Sequence, residues 1–223
     1  MTTERFRDRT EAGRLLAAKL RAYANRQDVL VVALPRGGVP VGFEVAKALH
    51  APLDVFVVRK LGVPGQEELA MGAITSGGVR VLNNPIVEAL DIPESQIESV
   101  AAEQQRELER RERLYRGSRA APEIRDRTVI VVDDGIATGT TMRAAVSALR
   151  KQQPARVIVA VPIAPVSTVL EWKAGGEEVI CLRAAEPFGA LGAWYEDFTQ
   201  ISDAEVCELL QEAALDRAPA HQR

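Results

Sequence analysis

At 223 residues the chain fits one large domain, with a core at about 1–183, a small C-terminal hood at about 184–215 and a frayed tail at 217–223. Hydrophobic residues make up 47% and charged residues 26%, which excludes a disordered or fibrous protein, and the net charge of −3 argues against a nucleic-acid partner. No apolar run approaches the ~18 residues of a membrane-spanning helix, so no membrane partner is expected.

The N-terminal stretch is charged and shows no apolar signal core. With two widely spaced cysteines, Cys181 and Cys207, and no disulfide framework, it predicts a cytoplasmic location. A zinc site would require both cysteines to converge with His50 and His221, and is set aside.

In chain order, Asp8 and Glu11 have capping-box spacing ahead of a helix carrying Ala12, Leu15, Leu16, Leu20 and Tyr23. Val29 to Leu34 is an unbroken apolar run, the signature of a strand buried on both faces. It ends in Pro35-Arg36-Gly37-Gly38, and a helix is predicted from about Val41 to Leu49, with His50 as a structural residue at its end. Leu53 to Val58 reads as a second buried strand ending in Arg59-Lys60. Met71–Thr75 and Val79–Leu82 flank Ser76-Gly77-Gly78 as a hairpin.

From Pro93 to Tyr115 a long helix is predicted, with the pairs Glu107/Arg111, Glu109/Arg113 and Glu112/Arg116 on a solvated face. Its thin apolar stripe, Ile97, Val100, Ala101, Leu108 and Tyr115, leaves an antiparallel homodimer contact as an alternative. Strands follow at Thr128–Val132, Val157–Val161 and Val179–Leu182, with helices at Met142–Lys151, after Pro165 and from Asp203. This alternation predicts an α/β fold with a mainly parallel sheet flanked by helices.

The segment after the third strand carries the chemistry. Asp133-Asp134 stand at the strand's carboxyl edge, where open α/β sheets bind ligands. Gly135, Ile136, Ala137, Thr138, Gly139, Thr140 and Thr141 then lead into a helix; the small residues allow close backbone approach, and the amides and hydroxyls suit a phosphate. Acids beside an anion site match a phosphorylated sugar, whose phosphate needs donors and whose ring hydroxyls need acceptors. No Gly-Lys-Ser/Thr nucleotide loop and no G-x-G-x-x-G fingerprint accompany it.

Val129–Thr141 resembles the phosphoribosyl-pyrophosphate (PRPP) motif of type I phosphoribosyltransferases, departing at Gly135, where that family usually has a branched apolar residue and where glycine reads as a more flexible turn. The whole chain, from Phe6-Arg7-Asp8-Arg9 through Trp194-Tyr195-Glu196-Asp197-Phe198, resembles a bacterial stand-alone subgroup of that family.

The resemblance implies a type I phosphoribosyltransferase-like fold and Mg²⁺-dependent transfer of the 5-phosphoribosyl group from PRPP to a nitrogen acceptor such as a nucleobase. Catalytic roles fall to Asp133, Asp134, Lys60 and Arg36, and PRPP binding to residues 135–141. Pyrophosphate binding falls to Arg36, Gly37, Gly38, Arg59 and Lys60, the metal to Asp133 through water, and a lid to the hairpin at 61–82. The hood would bring Phe188 and Trp194 to the base, although both rings, with Tyr195, also suit a small core. Glu196 and Asp197 are either water-mediated metal contacts or turn caps. Rival functions remain: a PRPP- or nucleotide-binding regulator, a phosphoacceptor domain with acids at strand ends and, within the same fold, a phosphatase or phosphorylase acting on a sugar phosphate.

Overall fold

A computed structural model describes residues 5–216; the tail from Arg217, including His221, lies outside them. Helix α1 (Arg9–Lys19) begins at Asp8, whose side chain accepts the Glu11 N–H. The reciprocal half of the box is shifted by one residue, because Glu11 accepts from the Arg7 amide.

Five strands form a parallel sheet: β1 (Val29–Ala33), β2 (Leu53–Val55), β6 (Thr128–Val132), β7 (Arg156–Pro165) and β8 (Glu178–Ala185), in the order β2-β1-β6-β7-β8. Every residue of β1 and β6 is buried, as their unbroken apolar runs require. Because successive side chains alternate faces, Val29, Val31 and Ala33 enter one core while Leu30 and Val32 enter another. The first core lies under α1, α2 (Gly38–Leu49) and α7 (Asp203–Leu215). The second lies under α5 (Thr140–Lys151) and α6 (Val166–Ala174).

From β1 the chain moves outward to β2, and from β6 it moves the opposite way through β7 to β8. The order therefore reverses between β1 and β6, and a crevice opens at their carboxyl ends. Register pairs Ala33 with Val132, so Leu34-Pro35-Arg36 and Asp133-Asp134 emerge side by side. The Leu34 amide extends the pairing by donating to Val132 O at 2.9 Å.

The apolar run at 53–58 is two elements rather than the one strand expected. It leaves the main sheet after Val55 and enters a separate antiparallel sheet of β3 (Val58–Val63), β4 (Gln66–Thr75) and β5 (Val79–Leu82). Ser76 staples this crossing: its Oγ accepts from the Val57 N–H at 2.9 Å, and its own N–H donates to Val57 O at 2.8 Å. Arg59 and Lys60 consequently sit on β3, not at the edge of the main sheet.

After the short α3 (Asn84–Ala89), the 23-residue α4 (Glu94–Arg116) packs between β3 and α7. Ile97, Ala101, Leu108 and Tyr115 are buried inside the molecule. The helix end is tied down by Arg116, whose Nε lies 3.0 Å from both carboxylate oxygens of the buried Asp54. Of the three expected ion pairs, Glu107/Arg111 and Glu112/Arg116 form, whereas Arg113 Nε turns to the backbone carbonyl of Glu109.

Candidate functional site

The two acids at the end of β6 have different environments. Asp134 is buried, and its Oδ2 accepts from Arg9 Nε at 2.8 Å, with both side chains about one-tenth exposed. Arg9 Nη1 donates to Thr199 O at 2.8 Å, and the guanidinium lies over the Phe198 ring, 3.9 Å from its centroid. The Tyr195 hydroxyl donates to the Asp134 backbone carbonyl.

The two end segments that carry the subgroup resemblance build this support. Phe6 N–H donates to Trp194 O at 2.9 Å, Glu196 N–H to Phe6 O at 2.8 Å, and Asp197 N–H to Arg7 O at 2.9 Å. The Phe6 and Tyr195 rings meet at 5.4 Å. The sequence alone assigns Arg9 no role: it is one cation in a Phe-Arg-Asp-Arg segment, and its partner lies 125 residues away.

Asp133 keeps partial exposure. Its Oδ1 accepts from the Asp134 N–H at 2.9 Å. Desolvation, with the neighbouring Asp134 carboxylate second, pushes its pKa well above the usual carboxylate range. The partly exposed carboxyl can accept a ligand hydroxyl.

The Arg36-Gly37-Gly38 turn presses onto both acids. A Cβ on Gly37 would lie 2.1 Å from Asp134 Oδ2, and one on Gly38 2.8 Å from Val132 O and 2.9 Å from Asp133 Cα. Only glycine permits this approach. The helix after it starts three residues earlier than expected, at Gly38. Its first amide is already engaged, donating to Leu34 O at 3.0 Å, so Gly38 acts by close packing rather than as the anion donor expected. Arg36 is half-buried and its Nη1 reaches Asp203 Oδ1 at 4.0 Å, the same oxygen that accepts the Tyr115 hydroxyl at 2.6 Å.

Thr140 and Thr141 form the first turn of α5, and Gly139 is its N-cap at φ 76°, a conformation that favours glycine. Ala137, Thr138, Thr140 and Thr141 are exposed, and the Thr138 and Thr140 hydroxyls lie 3.3 Å apart. The helix N-terminus and these hydroxyls face a cavity of about 470 Å³. Lys60 lines it from β3 together with Ala70 and Gly72 of β4. The 58–82 sheet thus stands across from the threonine loop, where a lid is expected. Lys60 Nζ contacts Glu68 at 3.4 Å within that sheet. Arg59 does not join it: its Nε and Nη2 donate to Gln104 Oε1 on α4 at 3.0 and 2.7 Å.

Gly135 is buried and has no left-handed φ, so the departure from a branched residue does not serve turn flexibility. A Cβ there would lie 2.3 Å from Leu191 Cδ1 and 2.8 Å from Ile163 Cγ2. Leu191, from the C-terminal segment, fills the place a branched side chain would take. Gly135→Val is therefore expected to destabilise the fold by about 1–3 kcal/mol through overpacking. Adding Leu191→Ala should recover most of that loss in a thermal melt; no recovery would contradict the pairing.

In the hood, Trp194 is 9% exposed, stacks on Phe188 at 5.9 Å and donates its indole N–H to Phe188 O at 2.9 Å. Both faces of the expectation are thereby separated: Trp194 is a packing residue, and Phe188, half-exposed, is the ring left at the surface. Asp197 caps a turn, accepting from Thr199 N and Oγ1 at 2.9 and 2.6 Å, which lowers its pKa. Among the described residues no group of three or more His, Cys, Asp or Glu side chains could cage a metal, and no helix is long and apolar enough to cross a membrane.

Two Mycobacterium tuberculosis proteins, from strains CDC 1551 and H37Rv, carry a provisional phosphoribosyl transferase name. Each is 47% identical over 215 residues, which is 96% of this chain and 48% of the relative. The chain thus spans about half the length of those relatives. The crystal structure of TT1426 from Thermus thermophilus superimposes with a TM-score of 0.81 at 42% identity, covering 93% of this chain and 98% of that one. Residues 5–190, a span that includes the strand-end acids and the threonine loop and reaches the start of the hood, match the family model described as phosphoribosyl transferase domain, and the chain belongs to that family.

Proposed function

We propose that the chain transfers the 5-phosphoribosyl group of PRPP to a nitrogen acceptor, a nucleobase or similar heterocycle, releasing pyrophosphate. The observation that supports this reading most is the contrast at one sheet edge. An exposed threonine loop opens a helix, and a partly exposed carboxylate, Asp133, stands shortly before it. Such an edge suits a ligand whose phosphate needs donors and whose ring hydroxyls need acceptors.

In the reaction the bond from ribose C1 to the pyrophosphate oxygen breaks, its electron pair leaving with pyrophosphate. The acceptor nitrogen supplies the pair that forms the new bond to C1 and then loses its proton to solvent. Asp133 holds the ribose hydroxyls and favours the cationic ring as C1 opens. Thr138, Thr140 and Thr141 fix the 5-phosphate with the α5 N-terminus. Arg36, in the turn after β1, and Lys60, on β3, are the cations offered to the diphosphate, and the 58–82 sheet would exclude water from it.

Asp133, an oxygen donor of the kind Mg²⁺ takes, would hold the ion through water beside the diphosphate. When bound, Mg²⁺ neutralises charge building on the departing diphosphate. Phe188 is the ring available to the acceptor, while Trp194 supports it from behind.

The phosphate assignment is tested with Thr138→Val, which removes one charge-assisted hydrogen bond worth about 1.5–3 kcal/mol. Calorimetry should show ribose 5-phosphate binding weakened roughly ten- to hundredfold with the melting temperature unchanged. Parent-like affinity in this variant would place the phosphate elsewhere.

A further inference from the structure

Among the described residues, one buried side-chain nitrogen or oxygen has no hydrogen-bond partner, the indole Nε1 of Trp172. Buried donors are rarely left so, and each exception has a cause. Trp172 sits on α6 and is 2% exposed. A Cβ built on Gly139 would lie 3.5 Å from its Nε1 and 3.6 Å from its Cζ2, so the indole edge lies directly beneath the cap of the threonine loop. The ring is held in place: the Arg143 guanidinium lies over it, 4.9 Å from its centroid, and Arg143 is itself paired with Glu171 at 2.9 Å. The carbonyl of the cap residue, Gly139 O, accepts the Arg143 amide at 2.8 Å. Packing alone does not call for a donor there, which other apolar side chains lack.

The peptide group supplies the reason for a donor there. N–H and C=O point in opposite directions across a planar trans peptide. A loop that turns its amides outward to cradle an anion therefore turns carbonyls inward. Ala137 and Thr138 are exposed and precede the helix, so their peptides are the ones able to turn.

We infer that Trp172 is a positioning residue for the phosphate loop: a carbonyl of the Ala137–Thr138 segment swings onto its indole N–H when the loop closes around a sugar phosphate. The inference rests on the phosphate reading of residues 135–141 and deepens it. Trp172 touches no ligand; it stabilises the bound form of the loop from below.

The chain has two tryptophans, and the N–H of the other, Trp194, is bonded to Phe188 O. Protein labelled with ¹⁵N at the indoles therefore gives two readable signals, assigned by the loss of one in Trp172→Phe. On adding ribose 5-phosphate the Trp172 signal is expected to move downfield and its hydrogen exchange to slow. In Trp172→Phe the smaller ring costs some melting temperature, and with the fold intact by an unmoved Trp194 signal the dissociation constant for ribose 5-phosphate should rise about three- to tenfold, the size of one neutral hydrogen bond. Calorimetric binding of ribose 5-phosphate with an unmoved Trp172 signal would overturn the inference and leave the phosphate site intact. No binding of ribose 5-phosphate to the parent would overturn both.

Discussion

Arg9→Met is expected to lower the melting temperature by about 6–20 °C, the largest stability effect of any single change near the site. That range follows from the loss of one partner of a buried ion pair, about 3–5 kcal/mol, at ~2–4 °C per kcal/mol for a domain of this size. Asp134 would be left charged, buried and pressed against Gly37. Arg9→Lys should recover only part of the loss, since a single ammonium cannot meet Asp134 and Thr199 O together while covering the Phe198 ring. The double variant Arg9→Met with Asp134→Asn should be more stable than Arg9→Met alone, because the stranded charge is gone while the shape is kept. A double variant that melts below Arg9→Met would show that the pair is not what Asp134 depends on.

Asp133→Asn should do the reverse: melt like the parent and lose turnover by on the order of 10²–10³, the usual cost of removing one electrostatic contact to a developing charge. Asp133 is partly exposed and its paired amide can still be accepted by the Asn side-chain oxygen, so folding has little to lose. Steady-state kinetics and a thermal melt on the two single Asn variants separate the acids: Asp133→Asn changes the rate, and Asp134→Asn changes chiefly the melt. Equal behaviour of the two would contradict the division of roles.

The extent to which the sequence announced this arrangement depends on distance along the chain. The strand, loop and helix at 128–151 were legible because their causes are local: five buried apolar or β-branched residues, small residues where the backbone turns, and hydroxyls at a helix start. The run 53–58 misled because periodicity reports burial and not which sheet a residue joins. The one visible interruption was Asp54, which lies inside β2, bonded to Arg116, just before the chain leaves the main sheet after Val55. Arg59 was misplaced for the same reason, since a strand displaced into a second sheet aims its side chains at α4.

The difference between the acids was illegible, because it is set by Arg9 and Tyr195, at separations of 125 and 61 residues. So was the purpose of Gly135, whose missing side chain makes sense only beside Leu191. Trp194 shows the converse case: an aromatic placed in the right region by resemblance, but engaged by its neighbours in the fold.

Pyrophosphate release from PRPP decides between transfer and mere binding, measured with Mg²⁺ and a panel of purine, pyrimidine and pyridine acceptors, in the parent and in Asp133→Asn. The expected result is release in step with the loss of at least one acceptor, reduced on the order of a hundredfold or more in Asp133→Asn. Calorimetric binding of PRPP with no pyrophosphate released for any acceptor would contradict phosphoribosyl transfer and favour a regulator that only holds the ligand.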